Sequence, residues 1–353
     1  MTTCRLLDLL GIDAPIIQAP MAGVSTPEMA AAVSNAGALG SIGVGATNAI
    51  GARQMIAAFR ERSSRSLNVN VFCHAPATID LERQARWIEH LRPEFVRLGA
   101  EAPTTLDEIY PSFLEDDAML AMLLQEKPQV VSFHFGAPAR ERIEALHDAG
   151  IVLMGSATSG AEARALVAAG VDVVIAQGYE AGGHRGVFDP SADDDGLGTV
   201  ALTRMLAREL DCPIVAAGGL MDGAGIAAAL RLGAAAAQLG TAFIACDESQ
   251  ADGGYRLALT TEAAHHTVMT RAISGRPARC LANRFTAIGR AVDPGDIPDY
   301  PIAYDAGKAL HKAAKARGES GFGAQWAGQG APLTRPMAAG DLVALLRDEM
   351  LGG

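Results

Sequence analysis

The sequence predicts an α/β fold in which eight parallel strands close into a barrel, and two observations favour it. The chain contains eight short apolar runs, most of them continuous rather than alternating, as is typical of strands covered on both faces. Helical patterns lie between these runs, so that strand and helix alternate along the chain. The runs occupy residues 15–20, 39–44, 67–72, 130–135, 152–157, 173–178, 213–218 and 236–243.

The helical segments carry their own start and stop signals. Residues 25–28, STPE, form a capping signal before the apolar stretch 29–33, and Gly37 is placed to end that helix. Eight strand–helix units specify a closed TIM (β/α)8 barrel better than an open doubly wound sheet, which is the alternative fold. Further helices are predicted at residues 140–149, 160–169, 199–210 and 223–232.

Two segments do not fit the repeat. Residues 75–127 are too long for one crossover and include a predicted helix near 80–92, and residues 247–353 extend past the eighth strand. No low-complexity linker separates either segment from the rest. We therefore predict one domain, residues 1–353, with an insertion after strand 3 and a C-terminal extension that forms a lid or smaller subdomain beside the barrel mouth.

The composition excludes several classes of function. The formal net charge is −11, and an acidic surface argues against nucleic acid and against anionic membranes as partners. The five cysteines are scattered without a C-x-x-C spacing, so neither a disulfide framework nor a metal site is predicted. No stretch approaches the roughly 18 apolar residues of a membrane span, and the first residues lack the pattern of a secretory signal. We expect a cytoplasmic protein with reduced thiols.

Residues 173–186, VVIAQGYEAGGHRG, point most directly to a site. An apolar run ends at Gln177, and a glycine-rich loop around His184 and Arg185 follows it. Parallel α/β proteins build their sites where strands end in such loops, since glycine lets the backbone approach a ligand. Histidine ordinarily titrates near neutral pH, so His184 is the candidate for a catalytic or substrate-binding group.

Polar and glycine residues at other predicted strand ends extend this site. The loops after strands 7 and 8 carry residues 217–219, AGG, and 238–241, QLGT, at the positions where such barrels usually bind phosphate. Asn70 and Gln177 end strands 3 and 6, and a side-chain amide matches the donors and acceptors of a flavin pyrimidine edge. The alternatives are tight turns without a ligand, and amides that cap neighbouring loops.

A second histidine lies at the end of the fourth predicted strand. Strand alternation sends His134 to the opposite face from Phe133 and Phe135. There it either lines the site or is a hydrogen-bonded core residue, and the residues alone leave both interpretations open.

The C-terminal extension supplies further candidates. Tyr304 and Lys308 are four residues apart and share one face if a helix runs over 305–317. Phenol hydroxyls and an ammonium group on a lid suit a small anion. A solvated face is the alternative, because Lys312 and Lys315 continue the basic pattern.

Eight motifs, in order, indicate a family. They are QAPMAG at 18–23, NVNVFCH at 68–74, SFHFGAP at 132–138, AQGYEAGGHRG at 176–186, AAGGLMDG at 216–223, QLGTAF at 238–243, SGRPARCLANRF at 274–285 and QWAGQG at 325–330. Together they cover nearly the whole chain, and the sequence resembles the class I nitronate monooxygenases, formerly grouped as 2-nitropropane dioxygenases. That family is an FMN-dependent barrel that oxidises alkyl nitronates with dioxygen to a carbonyl compound and nitrite.

The resemblance implies a set of site residues. It points to His184 as the active-site histidine, with propionate 3-nitronate as a candidate substrate, dioxygen as the co-substrate and a monomer or homodimer as the assembly. It implies FMN contacts at Pro20, Met21, Ala22, Asn70, Gln177, Gly182, Gly218, Gly219, Gln238, Leu239, Gly240 and Thr241. It implies a substrate chamber lined by His134, Tyr110, Tyr255, Tyr300, Tyr304 and Lys308.

Three other functions stay open from the sequence. The first is an FMN-dependent NAD(P)H:quinone or enoyl reductase on the same barrel, for which no separate dinucleotide fingerprint is found. The second is an FMN-free barrel that binds a phosphorylated metabolite, as in the inosine-monophosphate dehydrogenase group, although no cysteine has an obvious setting as its nucleophile. The third is a non-catalytic flavin-binding protein.

Overall fold

A computed structural model describes residues 2–352 of the chain. In chain order its strands are β1 (Ile16–Gln18), β2 (Gly40–Gly43), β3 (Leu67–Phe72), β4 (Val130–His134), β5 (Val152–Ala157), β6 (Val173–Gln177), β7 (Gly183–His184), β8 (Ile214–Ala217), β9 (Ala236–Leu239), β10 (Thr267–Thr270) and β11 (Ala278–Leu281). Its helices are α1 (Thr2–Leu10), α2 (Pro27–Asn35), α3 (Ala49–Arg60), α4 (Leu81–Arg97), α5 (Asp117–Glu126), α6 (Arg140–Asp148), α7 (Gly160–Ala169), α8 (Thr199–Glu209), α9 (Gly223–Arg231), α10 (Thr241–Ile244), α11 (Gly253–Leu259), α12 (Arg284–Arg290), α13 (Ile302–Lys315) and α14 (Ala339–Gly352).

Eight of these strands form one parallel sheet that closes on itself. The sheet order is β1-β9-β8-β6-β5-β4-β3-β2, and all its pairs are parallel. Backbone bonds between β1 and the start of β2 join the ends of the sheet, since Gln18 donates to the Leu39 carbonyl at 2.9 Å and Leu39 donates to the Ile16 carbonyl at 3.0 Å. The predicted TIM barrel is confirmed.

A glutamine side chain completes this seam. Gln18 is fully buried, and its Oε1 accepts the backbone amide of Ser41 at 2.8 Å while its Nε2 donates to Ser25 Oγ at 2.9 Å. A buried amide left without such partners costs free energy. The polar start of the QAPMAG motif therefore stabilises the barrel.

Every predicted barrel strand is present, but the last of them is shorter than expected. The apolar run 236–243 is a strand only to Leu239, because the chain turns at Gly240, whose carbonyl accepts the amide of Phe243 at 2.9 Å. The strand and the short helix α10 are both apolar, so hydrophobicity alone did not separate them.

Helix α1 was not predicted, and it covers the N-terminal end of the barrel. Leu6 and Leu10 are fully buried and belong to the cluster that fills the barrel interior, with Ile17 and Val152. This helix therefore closes the barrel at the end opposite the strand termini where sites form.

The insertion and the extension each divide into two parts. Helix α4 buries Trp87 and Leu91 in a cluster with α13, and this packing carries the helix past the predicted end at residue 92 through Pro93. Helix α5 instead joins the outer layer beside α3 and α6.

Within the C-terminal extension, α14 buries Leu342 and Leu346 in a cluster with residues of α2 and α9. Residues 247–338 therefore lie near the barrel mouth, whereas α14 completes the ring of helices.

Within residues 2–352, no helix combines the length and the apolar character needed to cross a membrane.

Candidate active site

A cavity of about 550 Å³ lies at the C-terminal ends of the barrel strands. Its walls combine loops from around the barrel with residues of the insertion and the extension. The predicted residues that line it are Pro20, Met21, Ala22, Asn70, Tyr110, His134, Gln177, Gly182, His184, Gly218, Gly219, Gln238, Gly240, Thr241, Tyr255, Tyr300, Tyr304 and Lys308. Leu239 does not line it, because it alternates with Gln238 along β9 and is buried against the outer helices.

The two glycine loops form one side of this cavity. Strands β8 and β9 are neighbours, with Ala217 opposite Gln238, so the loops that follow them lie together. Gly218 and Gly219 have φ angles of +120° and +71°, a region that residues with a side chain rarely adopt. Gly182 closes against the same side, where a Cβ would lie 2.4 Å from the amide nitrogen of Gly328. The two backbone segments approach so closely that only glycine fits at position 182.

Two amide side chains offer acceptors to a ligand in the cavity. Gln238 Oε1 is buried and has no partner among the described residues. Asn70 uses its Nδ2 to donate to the carbonyl and Oγ of Ser132, both at 3.0 Å, and it too lines the cavity. A buried acceptor without a partner in the protein can accept a hydrogen bond from a bound ligand.

Gln177 holds the loop that carries His184. Its Nε2 donates to the His184 carbonyl at 3.0 Å, and its Oε1 accepts the amide of Gly186 at 2.7 Å. The sequence left two roles open for Gln177, a contact with a flavin pyrimidine edge or the capping of a neighbouring loop. The hydrogen bonds show the loop contact directly, and the side chain also lines the cavity.

His184 lies on a short strand rather than in an open loop. Strand β7 pairs antiparallel with β11, with His184 opposite Ala278, and β10 completes this small sheet. Aromatic rings surround the imidazole, with centroids at 5.3 Å for Tyr300, 5.1 Å for Trp326 and 5.6 Å for Phe135. The sequence predicts a glycine-rich loop here, but pairing with β11 and the ring contacts hold the side chain in place.

The imidazole of His184 is uncharged at neutral pH. Burial, with smaller contributions from the nearby His134 and Arg276, lowers its pKa to about 3. Its Nε2 lies 2.8 Å from Ser274 Oγ, a hydroxyl that can either donate or accept. The other ring nitrogen, Nδ1, therefore carries a proton or a lone pair according to the direction of the Ser274 bond.

His134 supports the same backbone from the barrel side. Its Nε2 lies 3.1 Å from the His184 carbonyl and must donate to it, because a carbonyl only accepts. Burial lowers its pKa to about 4.

The two phenylalanines beside His134 point in different directions. Phe133 faces the outer layer, as strand alternation predicts, but the side chain of Phe135 does not. The strand ends at His134, and Phe135 has a φ of +75°, which places its ring 4.5 Å from that of His134.

Lys308 and the tyrosines form the side of the cavity nearest the extension. The Lys308 ammonium lies 4.7 Å from the ring centroid of Tyr110 and 5.7 Å from that of Tyr304. Burial lowers the pKa of Lys308. Lys315, on the same helix, instead pairs with Asp252 at 3.1 Å. Both side chains are exposed, but of the two only Lys308 lines this cavity.

The hydroxyl groups of Tyr255 and Tyr300 differ in their hydrogen bonding. The Tyr255 hydroxyl donates to the Trp326 carbonyl. The Tyr300 hydroxyl is buried without a partner among the described residues, and burial raises the pKa of Tyr300 well above its usual value.

Ser274, Arg276 and Trp326 contact or lie near His184 but were not among the predicted site residues. The motifs 274–285 and 325–330 contain them, but nothing in one sequence indicates that they meet His184. A group of three or more metal-ligating side chains is not found in residues 2–352.

Comparison with known proteins agrees with this architecture. A family model described as nitronate monooxygenase matches residues 3–349. The chain is 60% identical over 345 residues to a nitronate monooxygenase of Paraburkholderia phytofirmans, covering 98% of this chain and 94% of that protein. It is 53% identical over 352 residues to a nitronate monooxygenase of Pseudomonas aeruginosa, covering 99% and 100% of the two.

Solved structures give the same result. A nitroalkane oxidase from Streptomyces ansochromogenes superposes with a TM-score of 0.90 at 43% identity and covers 98% of both chains. FabK from Thermotoga maritima superposes with a TM-score of 0.75 at 29% identity, covering 99% of this chain and 96% of that one. The resemblance indicated by the eight motifs is confirmed, and the chain belongs to the nitronate monooxygenase family.

Proposed function

We propose that this protein is an FMN-dependent nitronate monooxygenase that oxidises alkyl nitronates of the propionate 3-nitronate type with dioxygen, giving a carbonyl compound and nitrite. One observation carries the proposal. A single cavity joins two glycine loops on one side to an uncharged histidine, an exposed lysine and several tyrosines on the other. The first part suits a phosphate-bearing cofactor, and the second suits a small organic anion.

The cavity fits FMN by the chemistry of its walls. Gly218, Gly219, Gly240 and Thr241 would hold the phosphate with backbone amides, at the end of the barrel where such groups usually bind. The buried acceptor Gln238 Oε1 matches the imide N–H of a flavin pyrimidine ring. Bound FMN would supply the one-electron chemistry that links the substrate to dioxygen.

The protein side chains bind and orient the substrate. Lys308 offers a positive charge to the anionic nitro group, and the rings of Tyr110 and Tyr304 hold its ammonium beside the cavity. His184 offers Nδ1 as a donor to a nitronate oxygen when Ser274 donates to its Nε2. When that bond reverses, Nδ1 has a lone pair and can remove the α-proton of a neutral nitroalkane.

An oxygen-electrode assay with nitrite detection tests the proposal. The FMN-loaded protein should consume dioxygen and release nitrite from propionate 3-nitronate, and a Lys308→Met variant should show a KM raised about tenfold or more. Lys315→Met is the matched control, because that ammonium pairs with Asp252 instead. Nitrite release no faster than with free FMN, for any alkyl nitronate, would contradict the proposal.

A further inference from the structure

A buried arginine without a carboxylate partner lies behind His184. Arg276 is 3% exposed, and within residues 2–352 no carboxylate oxygen lies within 4.0 Å of its nitrogens. Its Nη2 donates to the Val187 carbonyl and, at 3.4 Å, to that of Phe188, while its Nε has no partner among the described residues. A charge in this state is costly, because arginine stays protonated when it is buried.

A second buried arginine, which directly follows His184 in the sequence, has the carboxylate partner that Arg276 lacks. Arg185 is 2% exposed, and it pairs with both carboxylate oxygens of Asp194, at 2.7 and 2.9 Å. It also donates to the Gln177 carbonyl. Both guanidinium groups therefore bind backbone of the loop around His184, residues 178–188, but of the two Arg276 lacks a carboxylate partner. Arg279, 4% exposed, also makes no ion pair with the described residues, but it lies over the ring of Tyr179 and not over Phe135.

Phe135 places that charge next to the histidines. The guanidinium carbon of Arg276 lies 4.2 Å from the centroid of the Phe135 ring. The same ring lies 4.5 Å from His134, 5.6 Å from His184 and 6.3 Å from His74. Phe135 adopts a φ of +75°, a conformation that costs free energy in a residue with a bulky side chain. Strained residues of this kind cluster at functional sites.

We propose that Arg276 is a positioning residue, whose positive charge, held against the Phe135 ring, adds to burial in opposing protonation of His74, His134 and His184 and attracts anions to the cavity. The first effect needs no assumption about activity. The second, a preference for anionic substrates, rests on the proposed function. An uncharged His184 keeps a proton-free ring nitrogen available, whereas an imidazolium would have none to act as a base.

Burial and the charge of Arg276 shift the pKa of the three histidines in the same direction. Burial is the main cause that lowers the pKa of each histidine, and the positive charge of Arg276 lowers all three further. Lys308 lines the cavity as a further positive charge, and Arg271 is a positive neighbour of Arg276. The carboxylates of Glu162 and Asp189 attract Arg276 but make no ion pair with it. The other titratable groups that face the cluster are Tyr110, Tyr300, Tyr304 and Arg185.

Histidine titration by NMR in the full-length, FMN-free protein tests the first effect. Wild-type His184 should titrate below pH 5, and Arg276→Gln, which keeps an N–H donor for the Val187 carbonyl, should raise its pKa by about one pH unit or more. Arg276→Lys keeps the charge and should leave the pKa within about 0.3 units of the wild-type value. The double variant Arg185→Met with Asp194→Asn is the matched control, because it removes a buried arginine without changing the net charge.

Two results would overturn the proposal. One is a wild-type His184 that titrates at pH 6 or above, which decides the matter even if Arg276→Gln does not fold. The other is a folded Arg276→Gln protein in which the His184 pKa is unchanged. Kinetics then test the second effect, since Arg276→Gln should raise KM for a nitronate about tenfold. Absence of any turnover in the wild type would count against the proposed function but would leave the titration result standing.

Discussion

The side-chain amide of Gln177 donates to the backbone carbonyl of His184 at 3.0 Å. The same carbonyl accepts a bond from His134 Nε2 at 3.1 Å, so two barrel strands hold the residue that faces the cavity. The other end of the Gln177 amide accepts the amide of Gly186 at 2.7 Å. Gln177 therefore bonds the segment around His184 at two points, while His134 and strand β11 hold the same segment.

Gln177→Ala should lower both stability and activity. The substitution leaves the buried Gly186 amide without an acceptor, which costs about 1–3 kcal/mol in the free energy of unfolding. Displacement of the loop should lower kcat/KM for nitronate at least about tenfold. Denaturant unfolding and nitrite assays check this, with the exposed Gln329→Ala as the control. Unchanged unfolding and kinetics would show that the bridge is dispensable.

His184→Asn should separate binding from proton removal. Asparagine keeps an N–H donor but is no base, so kcat/KM with a pre-formed nitronate should fall less than about tenfold, and kcat/KM with the neutral nitroalkane should fall at least about 100-fold. The exposed His266→Asn is the control. Equal losses on both substrates would argue against a base at this position.

Gly182→Ala should disrupt the contact between the active-site loop and the segment at Gly328. The added Cβ would lie 2.4 Å from the Gly328 amide nitrogen, so one backbone must move. We expect the free energy of unfolding to fall by about 1–3 kcal/mol and FMN to bind more weakly. Gly253→Ala is the matched control, because its Cβ would meet nothing within 4 Å. Equal behaviour of the two variants would contradict the close approach.

The stability of the protein should fall as pH drops from 6.5 to 5. The pKa values of His74, His134 and His184 are lowered to about 4, 4 and 3, so in this window the unfolded chain binds protons that the folded protein does not. Each histidine then removes up to about 1.4 kcal/mol of unfolding free energy per pH unit, before most carboxylates titrate. Chemical denaturation at several pH values measures the slope, and a flat profile would mean that these histidines titrate in the folded protein near the value of about 6.5 that they have in the unfolded chain.

The barrel was predictable because each strand is a short β-type apolar run that ends in glycine or a polar residue. This pattern is local, and it placed Asn70, Gln177 and Gln238 at one end of the barrel, where the cavity lies. It did not separate the last strand from α10, since both are apolar. It also missed α1, whose burial depends on contacts with strands far along the chain.

The contacts around His184 could not be predicted from the sequence, because they join segments that are far apart along the chain. Ser274 lies 90 residues further along the chain, and no local pattern indicates that its hydroxyl meets this imidazole. Likewise, the predicted alternation of Phe135 failed because a left-handed residue ends the strand. Pairings of this kind follow from the closure of the small sheet of β7, β11 and β10 against the barrel mouth.

The most direct test of the central claim is the visible absorption spectrum of the FMN-loaded protein, recorded without oxygen before and after addition of a nitronate. We expect the visible band of the oxidised flavin to bleach rapidly with nitronate and to return when oxygen is admitted, with nitrite released. NADH should bleach it far more slowly. Rapid bleaching by NADH but not by nitronate, or failure of the protein to take up FMN, would contradict the account.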